Sequence, residues 1–160
     1  MKTIYILIIT VFTQLLCFAQ QDSQYTQYMY NTVNINPAYA GSRESLTMFL
    51  LHRTQWVGLD GAPVTNNVSA HTPIGDSNFG VGLSFVNDRI GPTNENTISA
   101  DVSYTVPTSE TFKLSFGVKG GGRVINIDWS KGSYKDPDVQ FRENITNKFL
   151  PVIGAGLYWH

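Results

Sequence analysis

The sequence is short of ionised side chains. Asp, Glu, Lys and Arg make up 14% of its 160 residues, against roughly 25% in ordinary soluble domains, so too few charges exist to cover a water-facing surface in the usual way. Basic residues are not in excess, at 11 against 12 acidic ones and a formal net charge of −1, which removes the electrostatic footprint expected of a nucleic-acid binder. The single cysteine, Cys17, argues against a small disulfide-stapled secreted domain. The three histidines, His52, His71 and His160, have no metal-ligand spacing, and neither H-E-x-x-H nor G-x-S-x-G occurs. Nothing in the residues supports an enzyme or a cofactor.

Long apolar runs are scarce as well. The run from Ile4 to Leu16 is interrupted by Thr10, Thr13 and Gln14 and falls short of the about 20 apolar residues a membrane-spanning helix needs. Placed after Lys2 and before Ala19, it has the layout of a secretory signal peptide over residues 1–19, cut after Ala19. Bulky Leu16 fits a lipoprotein start at Cys17 less well. Cys17 therefore leaves with the leader, and export without disulfides suits a Gram-negative envelope.

What the sequence has in quantity is two-residue alternation. Thr97, Ser99, Asp101, Ser103 and Thr105 alternate with Ile98, Ala100, Val102, Tyr104 and Val106, which a strand sorts onto two faces and a helix would scatter. Phe79, Val81, Leu83 and Phe85 repeat the design, as do Phe112, Leu114, Phe116 and Val118. The pattern predicts six strands, near residues 45–55, 64–72, 79–85, 97–106, 111–125 and 148–160. The connections alternate between short (73–78, 107–110) and longer (56–63, 87–95, 126–147), the asymmetry of transmembrane β-barrels with short periplasmic turns and longer external loops.

Alternation alone also fits a soluble sandwich, whose apolar faces meet in a core. Composition favours the barrel, because the polar faces carry mostly Asn, Ser, Thr and Gly, while Trp56, Phe79, Phe85, Phe112, Tyr158 and Trp159 fall near strand ends, where barrels place aromatic girdles. Charge orients the faces. Turning Lys113 and Lys119 to lipid would cost up to roughly 2 to 4 kcal/mol each, so Asp101, Lys113, Lys119 and Arg123 are candidate lumen charges. If Pro107 pairs with Thr111, Asp101 lies opposite Gly117 and diagonally across from Lys119. The fold class is therefore all-β, an antiparallel transmembrane β-barrel. Six strands are too few to close one, since the smallest single-chain barrels have about eight, so residues 45–160 are expected to be the N-terminal six or so strands of a larger barrel.

Residues 20–44 form a tyrosine-rich lead-in with Tyr25, Tyr28, Met29 and Tyr30, expected to pack its tyrosines on the domain or to serve as a partner-binding arm. Weaker motifs carry less. Lys119 to Arg123, through three glycines, lacks the helix a phosphate loop needs. Asn126, Asp128 and Ser130 before Gly132 echo a calcium loop without its closing glutamate. Asp136 and Asp138 beside Pro137 read as a solvated loop.

Several stretches together resemble one family. Gln27, Tyr28 and Met29, then Asn36, Pro37, Ala38, Tyr39, Ala40, Gly41 and Ser42, then Arg53, Gln55 and Trp56 with Gly61, Ala62 and Pro63, and finally Asn87 to Pro92 are similar, in order, to the PorP/SprF outer-membrane proteins. The resemblance implies a barrel in the outer membrane of a Bacteroidota-type Gram-negative bacterium, serving the type IX secretion and gliding machinery. It implies as partners the membrane lipid, other components of that machinery, and cargo such as adhesins, held through their C-terminal domains. Tyr25, Tyr28, Asn36, Pro37, Tyr39, Gly41, Arg53, Gln55 and Trp56 become candidate partner-binding or family-motif residues. Family members are roughly twice as long, so closure rests on strands beyond these. Two other readings stand beside it: a general diffusion porin, and a secreted soluble β-sandwich binding protein.

Overall fold

The computed structural model describes residues 28–131 and 143–160. The expected leader, Tyr25, the side chain of Tyr28, and Asp136 and Asp138 lie outside the described residues. Six strands, β1 (Thr47–Thr54), β2 (Val64–Pro73), β3 (Phe79–Ile90), β4 (Thr93–Pro107), β5 (Lys113–Ile127) and β6 (Ile145–Trp159), follow one another in a single antiparallel sheet in chain order. Strands β1 and β6 are its two edges. The fold is all-β, an open sheet of the kind that forms part of a barrel. No described helix is long and apolar enough to cross a membrane, which says nothing about strands.

The two faces are sorted as the alternation requires, but with the burial of a soluble protein reversed. Asn67 (0% exposed), Ser69, Ser84, Ser99, Asp101 (1%), Ser103 and Ser115 are buried, whereas Leu50, Leu83, Ile98, Val102, Val118 and Ile153 (87%) are exposed. A water-soluble sandwich would show the opposite. The outward-facing residues form a belt of cross-strand rows, such as Met48, Ala70, Leu83, Ala100, Gly120 and Ile153, and Leu50, Val68, Phe85, Ile98, Gly122 and Pro151. Taken at about 3.3 Å per residue and a barrel tilt of about 40°, the belt from Val106 to Ile98 stands roughly 20 Å tall, close to the ~25 Å apolar band of outer-membrane barrels.

At one rim of the belt, Phe79 meets Tyr104 with ring centroids 4.9 Å apart, and Phe112 meets Trp159 edge-on at 5.8 Å. Two residues assigned to the girdle from sequence belong elsewhere. Phe85 lies well inside β3, which runs five residues further to Ile90, and Tyr158 stacks on His160 at 4.9 Å and packs edge-on against Tyr39 on the polar face. The other rim is a row of amides. His52 Nδ1 lies 2.7 Å from Asn66 Oδ1, Asn66 donates to Asn87 at 3.3 Å, and Asn87 donates to Asn96 at 2.8 Å and to Asn94 at 3.0 Å.

That row explains a correction. Residues 87–95, expected as a loop, are mostly strand, with β3 and β4 turning over at Gly91 (φ 54) and Pro92. Beyond Phe85 the outer face turns polar like the inner one, so alternation disappears while the ladder continues. The β4–β5 hairpin also differs from expectation: Pro107 pairs with Lys113 and Asp101 faces Lys119 directly. The turn holds a wider loop, residues 108–112, closed by the Thr108 and Ser109 amides on the Phe112 carbonyl. The shift is an even number of residues, so every side chain keeps its face.

Candidate functional site

The polar face is covered by the lead-in segment. After a 3₁₀ turn at Tyr28–Tyr30 come one α-helical turn, Thr32–Ile35, and a second 3₁₀ turn, Pro37–Tyr39. These are short because their residues favour caps and turns: Asn36 has extended backbone, its side chain accepts from the Ala38 amide at 3.0 Å, and Pro37 starts the next turn with its fixed φ.

The sheet is shaped to receive this backbone. One inner row runs Pro73, Gly80, Ser103, Gly117, Gly156. A Cβ on Gly80 would fall on the Ala40 carbonyl, one on Gly117 on the Ala38 amide, and one on Gly156 on the Asn36 side chain. Val33, Ala38 and Ala40 are buried apolar residues, each at 1% exposure or less. The lead-in was expected to pack through its tyrosines, but Tyr30 is exposed, and Tyr39, set against His71 at 5.4 Å and Tyr158 at 5.0 Å, carries that role alone among the described tyrosines of the segment. The smallest side chains make the closest approach.

Polar bonds pin the segment at each level. Asn31 donates to Asn67 at 3.1 Å and accepts from Ser69 at 2.6 Å. The Gly41 amide donates to His71 Nδ1 at 3.2 Å, and Ser103 donates to the Ala40 carbonyl at 2.5 Å. Lys119 is the hub. Its ammonium lies 3.3 Å from Asp101 Oδ1 and donates to the carbonyls of Val33 (3.2 Å) and Asn34 (2.8 Å), so a cation sits at the C-terminal end of the helical turn and beside a fully buried carboxylate.

Of the candidate lumen charges, Asp101 and Lys119 thus meet beneath the segment. Arg123 pairs with Glu95 at 2.9 Å further along the same face. Lys113 has the inner-face parity but is exposed, at the start of β5, where its backbone exchanges both hydrogen bonds with His160. Burial, followed by the Lys113 charge, lowers the pKa of the His160 imidazole. Asn36, Pro37, Tyr39 and Gly41 all belong to the covering segment. Tyr39 Oη accepts from Arg43 Nε at 3.3 Å, which raises the guanidinium pKa.

Arg53, Gln55 and Trp56 lie at the opposite end, where the Gln55 amide donates to the Pro63 carbonyl and closes the β1–β2 loop. The two halves of the candidate set are therefore not one site. The weak calcium motif is spent locally: Asp128 Oδ1 accepts from Ser130 N and Oγ and from Asn144. Among the described residues no His, Cys, Asp and Glu group is placed to hold a metal.

An antiparallel sheet with lipid-like exposure on one face and a packed polar interior on the other defines a membrane β-protein. The chain matches the family model for the type IX secretion system membrane protein PorP/SprF over residues 17–160. It belongs to that family and is a membrane component of type IX secretion. No curated protein and no solved structure matches it.

Proposed function

We propose that this protein works in the outer membrane, where it assists export or surface attachment of specific cargo, adhesins among them, through their C-terminal domains, alongside other type IX secretion components. In this reading residues 1–19 are a leader removed on export, residues 20–44 supply the segment inside the barrel, and residues 45–160 supply barrel strands, with hydrocarbon against the Leu83 and Val102 face. The observation that carries it beyond family membership is the covered polar face. A diffusion porin needs water along that face, and here residues from Asn31 to Gly41 occupy it, held by Lys119 and seated on Gly80, Gly117 and Gly156.

The test has two arms. Deleting the gene should leave a surface adhesin undelivered, while the full-length protein in planar bilayers should show no porin-like conductance. Large steady conductance together with normal adhesin delivery would replace this reading with the porin.

A further inference from the structure

The amide row that closes the belt has a direction. Asn66 Oδ1 can only accept, so His52 Nδ1, 2.7 Å away, carries the proton between them, and the Thr54 hydroxyl donates to His52 Nε2 at 3.1 Å. Asn66 Nδ2 then donates to Asn87 at 3.3 Å, and Asn87 Nδ2 donates to Asn96 at 2.8 Å and to Asn94 at 3.0 Å. Every bond runs the same way from β1 to β4, and each polarises the next. The chain ends on Asn94 and Asn96, whose own Nδ2 groups donate to no described residue.

Beside that end stands Arg89. It shares the outer-face parity of Phe85 and Asn87, lies opposite Asn94 on the β3–β4 ladder, is exposed, and has no carboxylate partner among the described residues. Two outer rows make up this rim, one through His52, Asn66, Asn87 and Asn96, the next through Thr54, Val64, Arg89 and Asn94. Neither row holds an acid. Asp88 and Glu95 have inner-face parity and are matched with Thr65 and Arg123, while Asp60 and Asp128 lie past the strand ends. One guanidinium and two amides with donors to spare, and no negative charge among them, are complementary to a phosphate.

Position identifies the source of that phosphate. The two rows stand two and four residues beyond Phe85 and Ile98, about 5 and 10 Å further along a tilted strand, and headgroups fill a layer about 5 to 7 Å deep on each side of the hydrocarbon. The rim is continuous with the apolar belt on the same face, so a lipid whose tails lie on Phe85 and Ile98 presents its phosphate at this height. We infer that Arg89, Asn94 and Asn96 form a binding site for the phosphate of an anionic lipid headgroup. This rests on the reading above in which hydrocarbon meets the Leu83 and Val102 face.

The test titrates the full-length protein in nonionic detergent with phosphatidylglycerol and follows binding by native mass spectrometry. One lipid should bind more tightly than the rest. Arg89→Gln, at an exposed position, should weaken that binding at least about tenfold, the loss expected for a hydrogen-bonded charge, and Asn94→Ala/Asn96→Ala should weaken it by less. Lys113→Gln removes an exposed cation at the opposite rim and should leave the affinity unchanged. Equal binding by wild type and Arg89→Gln, or an equal loss in Lys113→Gln, overturns the site. Full competition by inorganic phosphate at matched concentration also overturns it, in favour of a free-anion site. Flotation separates this inference from the reading beneath it: full-length protein that does not float with liposomes after reconstitution overturns the lipid-facing surface, and the headgroup site with it.

Discussion

Gly117 and Gly120 stand on the same strand and face opposite ways. A Cβ on Gly117 would collide with the backbone of Pro37 and Ala38, whereas one on Gly120 would meet nothing within 4 Å. The contrast holds for the two faces as wholes. The inner face is a packed solid of backbone, hydroxyls and the Lys119–Asp101 and Arg123–Glu95 ion pairs, while the outer face is an exposed apolar sheet. In a soluble protein, packing specificity resides among apolar side chains. Here it resides among polar ones, and the apolar face needs only to be greasy.

The largest effect that would break this comparison is expected at the glycines. Gly117→Val should expel the covering segment or prevent assembly, a penalty above about 4 kcal/mol, whereas Gly120→Val should stay within about 0.5 kcal/mol. Urea unfolding in detergent reads the stability, and tryptic cleavage after Arg43 reads whether the segment has left. Equal behaviour of the two variants would mean that the segment is not packed on the β5 backbone.

Next in size is Lys119→Met, which leaves the Asp101 carboxylate, with no exposed side-chain area, facing no cation. Breaking a buried pair from one side costs about 3 to 5 kcal/mol. Adding Asp101→Asn should recover part of the loss, because the uncompensated charge goes with it. A double variant as unstable as Lys119→Met alone would show that the ammonium acts through the Val33 and Asn34 carbonyls instead.

On the other face, Leu83→Lys near mid-belt should cost roughly 2 to 4 kcal/mol in liposomes. Thr97→Lys, on the inner face near Glu95, should cost much less. If the two lysines prove equivalent, the exposed face is not meeting hydrocarbon.

The outer face was legible in the sequence because its apolar residues recur at every second position, so Ile98 to Val106 and Phe79 to Phe85 alternate without error. The strands became invisible where that recurrence lapsed. Asn87, Asn94 and Asn96 lie on the outer face beyond the belt, and nothing in their pattern separates strand from loop. The covering segment was harder still. Its tyrosines drew notice as contact residues, yet the fit is made by Ala38 and Ala40 against Gly80 and Gly117. Small residues leave no periodic signal, and the partners lie some forty to eighty positions away in sequence. The available hint was that glycines at 80, 117 and 156 all have inner-face parity, which marks a surface that another backbone approaches.

The smallest effect probes how the segment reaches the sheet edge. The Lys113 and His160 backbones exchange both hydrogen bonds, so two-residue periodicity turns the backbone groups of Trp159, Leu157 and Ala155 away from β5, towards the open side. Asn36 Nδ2 donates to that Leu157 carbonyl at 2.8 Å while its Oδ1 caps Ala38. Asn36→Ala removes both bonds and should cost about 1 to 2 kcal/mol. Asn36→Asp keeps the cap and sets a carboxylate against a carbonyl, so it should cost more than alanine despite its closer shape. Hydrogen exchange separates the contributions, since the Ala38 amide should lose protection in the alanine variant and retain it in the aspartate variant. Unchanged protection in both would mean that the glycine rows hold the segment by shape alone.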